Sequence, residues 1–430
     1  MQSIASQNAP GPSVIIPHFL VGGLVLLVFT VLLFLSAESL TQHFFNPKIL
    51  ALTHLLVLGW ITMIIFGALY QLIPVIMETK LFSELLAKIS FILLTVGTLL
   101  LTLSFWNFWL GTYLIFSGCI ITLSVLLFSI NVLFTTRSSK IKSIEKKFIF
   151  TSTIWLGFTV LMGLILAINL SFPFLSTPHI ELLKLHAHAG IVGWIIQLII
   201  GVGSKILPMF LVAHGMNKKK LVFSYYTINS GLFVGIFSIY FSWHFILILA
   251  SGVVVLGLLA FLSYLYEAYR IRVKKKLDPG MKQSFVSFFI LLFPILLVLL
   301  FSFDPDLISS LSIPLSIVYG STLMIGFITS LIMGQTYKTL PFIIWLKVYR
   351  GHVGKIKIPL PKELYNENIA IAQRWVFNSG FIIVTGGILL VQKDVIKTGC
   401  LFLILATLFY NFNLFKIIFH KPKTYAATNA

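Results

Sequence analysis

Long apolar stretches, each about the length needed to cross a bilayer, follow one another along the whole chain. Short polar segments separate them. An apolar stretch of roughly eighteen residues or more is typical of a transmembrane helix. We place helix centres near residues 25, 62, 96, 121, 159, 197, 231, 256, 293, 327, 383 and 407. The pattern predicts an all-α polytopic membrane protein, with about twelve transmembrane helices in a single domain, 1–430.

Composition excludes an ordinary soluble protein. Hydrophobic residues make up 58% of the chain, charged residues 10%, and the mean hydropathy is +1.01. A soluble domain carries about a quarter charged residues. The first predicted helix, 14–36, has no basic residue ahead of it and is too long for the apolar part of a signal peptide, so we expect it to remain in the protein.

The net charge of +19 is concentrated in alternate loops. If the N-terminus is cytoplasmic, all but four of the 31 Lys and Arg residues lie inside; the exceptions are Lys48, Lys184, Lys393 and Lys397. The positive-inside rule then predicts a multi-pass cell-membrane protein with both termini in the cytoplasm. The same distribution favours the lipid bilayer as the partner and argues against nucleic acid.

One sequence motif occurs three times, in segments 53–75, 187–209 and 321–341. The copies are 134 and then 133 residues apart, and each falls in the second helix of a predicted group of four. We therefore predict three pseudo-repeats of four helices, at about 1–147, 148–283 and 284–430. The matched positions are His54, His188 and Ser321; Gly59, Gly193 and Gly326; Trp60, Trp194 and Phe327; Gly67, Gly201 and Gly334; Pro74, Pro208 and Pro341.

The spacing within the motif has a physical meaning. The two glycines of each copy lie on nearly one helix face, where small residues allow close helix packing. The proline comes twenty residues after the first position, which is about 30 Å along a helix, so we expect each motif to begin near the outer face and to end at a proline on the cytoplasmic side. Polar residues gather near these ends, and we interpret them as snorkelling and capping groups: Tyr70, Gln71, Lys205, Gln335, Tyr337 and Lys338.

Three histidines, His54, His186 and His188, fall within predicted helices near the outer leaflet. A histidine inside a bilayer is costly and indicates a functional site. His54 and His188 share one motif position, and each needs a metal, a haem iron or a hydrogen-bond partner. His186 lies about 200° around the helix from His188, so it does not easily share its ligand. The alternative role for all three is a hydrogen bond between helices.

His18 and the acidic residues give less indication of a functional site than these three histidines do. We expect His18, at the start of the first helix, to be solvated or interfacial. The acidic residues fall in loops or near helix ends: Glu38, Glu181, Glu267, Asp304 and Asp306 are examples. Proton pumps commonly place a carboxylate near the bilayer midplane, and this pattern therefore argues against pumping.

With these features the chain resembles the haem–copper oxidase subunit I superfamily, which includes cytochrome c oxidase subunit I. The resemblance rests on twelve helices, the three-by-four arrangement, and the sequences HLLVLGW (54–60) and HAHAGIVGW (186–194). It implies that His54 ligates a low-spin haem and that His186 or His188 corresponds to a copper ligand. The tenth helix, 313–340, lacks the family's haem-ligating histidines, and the seventh, 221–242, lacks its paired copper histidines.

This combination predicts a divergent relative that binds b-type haem, or copper, through His54, His188 and His186. The resemblance implies that it handles nitric oxide or oxygen, without proton pumping. Any catalysis would be that of an oxidoreductase, for which an electron donor or a partner membrane subunit is a candidate partner. The alternative is a cofactor-free transporter, or a subunit of another membrane complex, on the same scaffold. A third alternative is a true oxidase that takes unusual ligands from a partner subunit.

Overall fold

The computed structural model describes residues 8, 10–303, 312–352 and 358–422. Asp304 and Asp306 lie outside the described residues, as does part of the basic loop expected before residue 374. Twelve long helices and no strands occur in the described part of the chain. They are α1 Pro12–Leu35, α2 Pro47–Ile76, α3 Glu84–Trp106, α4 Thr112–Ser138, α5 Ile144–Ser171, α6 His179–Leu211, α7 Lys219–Tyr240, α8 His244–Ile271, α9 Pro279–Phe301, α10 Ile313–His352, α11 Glu367–Leu389 and α12 Lys393–Ile418.

Eleven of these helices, all but α11, are long and apolar enough to cross a membrane. The first half of α11 carries Gln373, Arg374 and Asn378, which lower its mean hydropathy. Each predicted centre falls inside a different helix. The prediction of an all-α polytopic membrane protein is therefore confirmed, because the apolar runs are long enough to indicate every helix.

Side-chain caps begin five of the helices in the described part of the chain. A side chain accepts a hydrogen bond from a main-chain N–H in the first turn of α2, α3, α5, α9 and α11; the capping residues are Asn46, Ser83, Ser143, Asp278 and Asn366. These acceptors satisfy N–H groups that the first turn of a helix leaves without a partner. The polar residues before these helices thus have a structural role as helix caps.

The motif prolines lie inside helices. Pro74 and Pro208 are close to helix ends, at Ile76 and Leu211, but α10 runs past Pro341, so the predicted end of the tenth helix at residue 340 is wrong. There the α-helix continues from Pro341 to Tyr349. Ile343 and Ile344 in this extension are 5% and 1% exposed. Their packing favours continued helix, and inside a membrane protein neighbouring helices compensate for the hydrogen bond that a proline removes.

A π-helical stretch interrupts each motif helix, which the sequence did not predict. The three stretches are Leu55–Thr62, Ala189–Ile196 and Thr322–Thr329, each eight residues long. Each begins directly after the first motif position, His54, His188 or Ser321. π-Helical segments inside α-helices are rare and frequently occur at functional sites. The proposed division into three repeats stays a prediction, but the stretches recur at its spacing.

The chain forms two compact units. The first consists mainly of Leu69–Lys276. In its core Trp194 is 2% exposed and packs edge-on against Phe128, with ring centroids 6.0 Å apart; Phe128 packs in turn on Tyr70 at 5.6 Å. Trp194, the tryptophan of the second motif copy, therefore forms an aromatic cluster with Phe128 and Tyr70 in this unit.

The second unit takes in Gly11–Ala68, Leu277–Leu297 and the described residues from 312 onward. Trp60 is fully buried, and its ring packs edge-on against Tyr410 at 5.4 Å. Phe327, the third copy of the same motif position, packs on Phe288 at 5.7 Å. All three copies of this position are thus buried aromatic anchors.

The second glycine of each motif marks a close helix contact, as predicted. A Cβ on Gly67 would lie 2.6 Å from the Cβ of His18 on α1, and one on Gly201 would lie 2.8 Å from the Cβ of Phe148 on α5. For Gly334 the nearest atom is a main-chain oxygen, that of Gly280 on α9, at 2.6 Å. Each motif helix therefore packs on the first helix of its predicted group at this glycine.

Candidate functional site

His54 closes the first α-helical part of α2, and the π-helical stretch follows it directly. Its side chain is half-buried. Its Nδ1 lies 2.8 Å from the main-chain oxygen of Leu50, one turn earlier. A carbonyl oxygen only accepts, so Nδ1 carries the proton. In the neutral ring the lone pair is consequently on Nε2, the nitrogen that can ligate a metal.

His188 has the same local structure in the first unit. It closes the α-helix His179–His188, it is half-buried, and its Nδ1 donates to the oxygen of Lys184 at 2.8 Å. The backbone angles are also alike, with φ −71° and ψ −36° at His188 against −70° and −36° at His54. The two motif copies therefore give their histidines the same conformation and the same tautomer.

His186 is directed differently. Its Nδ1 is 3.0 Å from the main-chain oxygen of Thr159 on α5. A Cβ on Gly163, also on α5, would lie 2.8 Å from its Cε1. Gly190 and Gly193 continue the same face of α6, against Thr159 and Trp155. His186 thus belongs to the α5–α6 packing surface and contacts α5, whereas His188 bonds to its own helix.

Ser321 occupies the third copy of the position with nearly the same backbone conformation, φ −67° and ψ −35°. Its hydroxyl donates to the oxygen of Val318 at 3.1 Å. The side chain offers no nitrogen ligand, so this copy keeps the geometry of the motif without its metal-binding chemistry.

The donor set fits a haem or another centre with few protein ligands. Metal-ligating histidines almost always donate their other ring N–H to a carbonyl or carboxylate, as His54 and His188 do. Within the described residues no group of three or more His, Cys, Asp or Glu side chains could hold a metal ion. An imidazole that ligates haem iron needs no such cluster, because the porphyrin supplies four of the ligands.

The burial of His18 was not predicted from the sequence. His18 is 1% exposed, and its Nδ1 lies 2.8 Å from the oxygen of Val14. The expectation of a solvated or interfacial residue is therefore wrong, because Gly67 lets α2 pack directly against its Cβ. The signal was present in the sequence, since Gly67 is the motif glycine that predicts a close neighbour.

The interpretation of Lys338 as a snorkelling residue is also wrong. Its Nζ lies 2.6 Å from Oδ2 of Asp278, and the two side chains are only 16% and 20% exposed. Oδ1 of the same carboxylate accepts from the N–H of Met281 and caps α9. Asp278 therefore links a helix start to the basic residue of the third motif.

Two tyrosines adjoin this ion pair. The rings of Tyr337 and Tyr365 lie 5.0 Å apart. Burial, followed by the negative charges of Asp278 and Glu367, raises the pKa of Tyr365 above its usual range. Its hydroxyl therefore stays protonated, and able to donate a hydrogen bond, to a higher pH than that of an ordinary tyrosine.

Comparison with known proteins does not assign a family. The chain matches no protein-family model, and no curated protein is significantly similar to it.

Proposed function

We propose that this membrane protein binds b-type haem through His54 and handles a diatomic gas such as nitric oxide or oxygen, with His188 as the next candidate ligand. The proposal includes a cell-membrane location with both termini in the cytoplasm. It follows the resemblance of segments 54–60 and 186–194 to the haem–copper oxidases.

The observation that supports it best is the shared geometry of the two histidines. Both donate Nδ1–H to the carbonyl oxygen one turn earlier, at 2.8 Å, and both directly precede a π-helical stretch. The bond fixes the ring orientation and directs the lone pair of Nε2 away from the residue's own helix turn. His186 also has its Nδ1 against a carbonyl oxygen, but that of Thr159 on α5, at 3.0 Å, and it is the third candidate ligand.

A bound haem would supply an iron centre that a small gas can reach. The protein's part is to ligate through the imidazole, to hold the ring with the carbonyl oxygens of Leu50 and Lys184, and to surround the porphyrin with apolar helix surface. Copper is the alternative metal for the same nitrogen ligands, and would use them without a porphyrin.

The proposed function does not include proton pumping. The described acidic residues lie in loops or near helix ends. The most buried ones are Glu145, in the first turn of α5, and Asp278, which caps α9. Carboxylates at helix ends have structural roles here, whereas pumps commonly place a carboxylate at membrane depth.

One observation favours the second candidate, a cofactor-free transporter or complex subunit. Gln197 on α6 is fully buried and exchanges two hydrogen bonds with the amide of Asn229 on α7, at 3.1 and 3.0 Å. Trp155 of α5 donates to the same Asn229 oxygen at 3.1 Å. Polar side chains inside a helix bundle can bind a polar substrate as well as join helices.

An optical spectrum of the full chain, expressed with haem available and purified in detergent, separates the two candidates. We expect a Soret band, with α and β bands after dithionite reduction, and about one haem per chain in a pyridine haemochrome assay. Metal analysis of the same sample distinguishes iron from copper, and added carbon monoxide or nitric oxide should shift the Soret band. A colourless, metal-free preparation would contradict the proposal and favour the transporter.

A further inference from the structure

Two basic segments of the first unit are held side by side by main-chain hydrogen bonds. The N–H of Val273 donates to the oxygen of Val212, and the N–H of Lys274 to the oxygen of Leu211, both at 3.3 Å. Val212 has a left-handed conformation, with φ 53°, which ends α6 and turns the chain. We call residues 211–220 and 270–276 together the basic platform.

Positive charge dominates this platform. Its eight basic residues are Lys218, Lys219, Lys220, Arg270, Arg272, Lys274, Lys275 and Lys276. Glu267 pairs with Lys220 at 2.7 Å, and the buried Glu145 pairs with Lys218 at 3.2 Å. Lys219, Lys275 and Lys276 are exposed. Two carboxylates therefore face eight cations, and a strong positive potential remains at this end of the helices.

Exposed apolar side chains lie among these charges. Val212 is 43% exposed, Val273 68% and Ile271 44%. Val273 stands between Arg272 and Lys274 in the chain, so an aliphatic surface and cationic groups alternate within a few residues. A soluble anion such as a nucleotide uses only the charges, whereas a phospholipid with an anionic headgroup uses both the charges and the aliphatic surface.

We propose that the basic platform binds the headgroup of an anionic phospholipid, such as phosphatidylglycerol, with the adjacent valines against the start of its acyl chains. Lys219, Lys275 and Lys276 contact the phosphate and are the residues that select it over a zwitterionic headgroup. Clusters of Lys and Arg next to transmembrane helices are attracted to anionic lipids, by about fivefold in affinity for each residue. This site is independent of the proposed haem ligands.

The test is a binding titration of the full chain in a neutral detergent, by thermophoresis, with short-chain phosphatidylglycerol, short-chain phosphatidylcholine and glycerol phosphate. We expect phosphatidylglycerol to bind at least about tenfold more tightly than either of the other two. Tight binding of glycerol phosphate would mean that the site takes a free phosphate and would overturn the lipid assignment. Equal binding of the two lipids would overturn the selectivity.

The variant Lys219→Gln/Lys275→Gln/Lys276→Gln removes three charges from the platform. We expect it to lose at least about tenfold in affinity for phosphatidylglycerol. The control Arg137→Gln/Lys140→Gln/Lys142→Gln removes the same charge from another exposed basic loop of the first unit. It should stay within about twofold of the wild type. Equal losses in both would show a general charge effect and overturn the assigned site; size-exclusion profiles establish that both variants fold.

Discussion

Trp60 donates a hydrogen bond from its indole Nε1 to Oγ1 of Thr329 at 3.2 Å. Both residues lie in π-helical stretches, Trp60 in α2 and Thr329 in α10, and both are almost completely buried. This bond joins two of the three motif helices within the second unit. Phe327, at the same motif position, has no side-chain N–H and cannot donate such a bond.

Thr329→Val should therefore destabilise the protein by about 1–3 kcal/mol, because it leaves a buried indole N–H without its acceptor. The measurement is the free energy of unfolding in a mild detergent. Thr153→Val is the matched control, since Thr153 is equally buried but bonds only to the oxygen of Ile149 in its own helix. In the double variant Trp60→Phe/Thr329→Val the loss should be smaller than the sum of the single losses.

Substitution of the second motif glycine by alanine should disrupt helix packing. Gly334→Ala should cost the most, about 2–3 kcal/mol, because its Cβ meets the main-chain oxygen of Gly280, which cannot move without the helix. Gly201→Ala meets the Cβ of Phe148 and should cost about 1–2 kcal/mol. Both losses of stability should be measurable as a lower melting temperature of the variant than of the wild type.

Gly157→Ala is the control for these glycines. Gly157 lies within α5, and apart from its chain neighbours and the adjacent backbone of its own helix no atom lies within 4 Å of the place that its Cβ would take. Alanine should be neutral there, or stabilising by about 0.5–1 kcal/mol, because it is the better helix former. A loss at Gly157 equal to that at Gly334 would contradict the packing explanation.

The two functions of Asp278 can be separated by substitution. Asp278→Asn keeps an oxygen that can cap α9 and loses the charge that pairs with Lys338, whereas Asp278→Ala loses both. We expect the alanine variant to be less stable than the asparagine variant by about 1 kcal/mol, the usual value of a helix cap. Equal stabilities, measured by thermal unfolding, would show that the cap contributes nothing.

The ion pair between Lys393 and Glu38 is exposed, in contrast to the pair between Lys338 and Asp278. Lys393 donates a hydrogen bond to Glu38 at 2.8 Å and lowers the pKa of that carboxyl below its usual value. A lowered pKa stabilises the folded state above the ordinary pKa, and the contribution is lost as the pH falls through the lowered value. Both side chains are about half exposed or more, so solvent screens the pair. Glu38→Gln should leave the melting temperature unchanged at neutral pH and at pH 4.

The helices could be predicted from the sequence because each apolar run is long and its neighbours are separated by basic or turn-forming segments. The glycine contacts could be predicted as well, since three copies of one spacing gave the same face. The end of α10 could not: a proline usually marks a helix boundary, but the buried Ile343 and Ile344 continue this helix beyond Pro341.

The site was predictable in part. The motif position indicated that His54 and His188 are equivalent, and the structure gives them the same bond and backbone angles. The tautomer of these histidines depends on a main-chain carbonyl one turn earlier, and the π-helical stretches depend on packing. Neither feature can therefore be predicted from residue type alone. The burial of His18 and the partner of Lys338 depend on helices distant in sequence from them.

The most direct test of the central claim is the haem content of a His54→Ala protein, measured by optical spectrum and pyridine haemochrome assay beside the wild type. His43→Ala is the control, because His43 is exposed and its Nδ1 accepts from the N–H of Phe45, the opposite tautomer. We predict that His54→Ala loses the wild-type Soret and α bands, that added imidazole restores them in part, and that His43→Ala keeps them. An unchanged spectrum and haem content in His54→Ala would contradict haem ligation by His54.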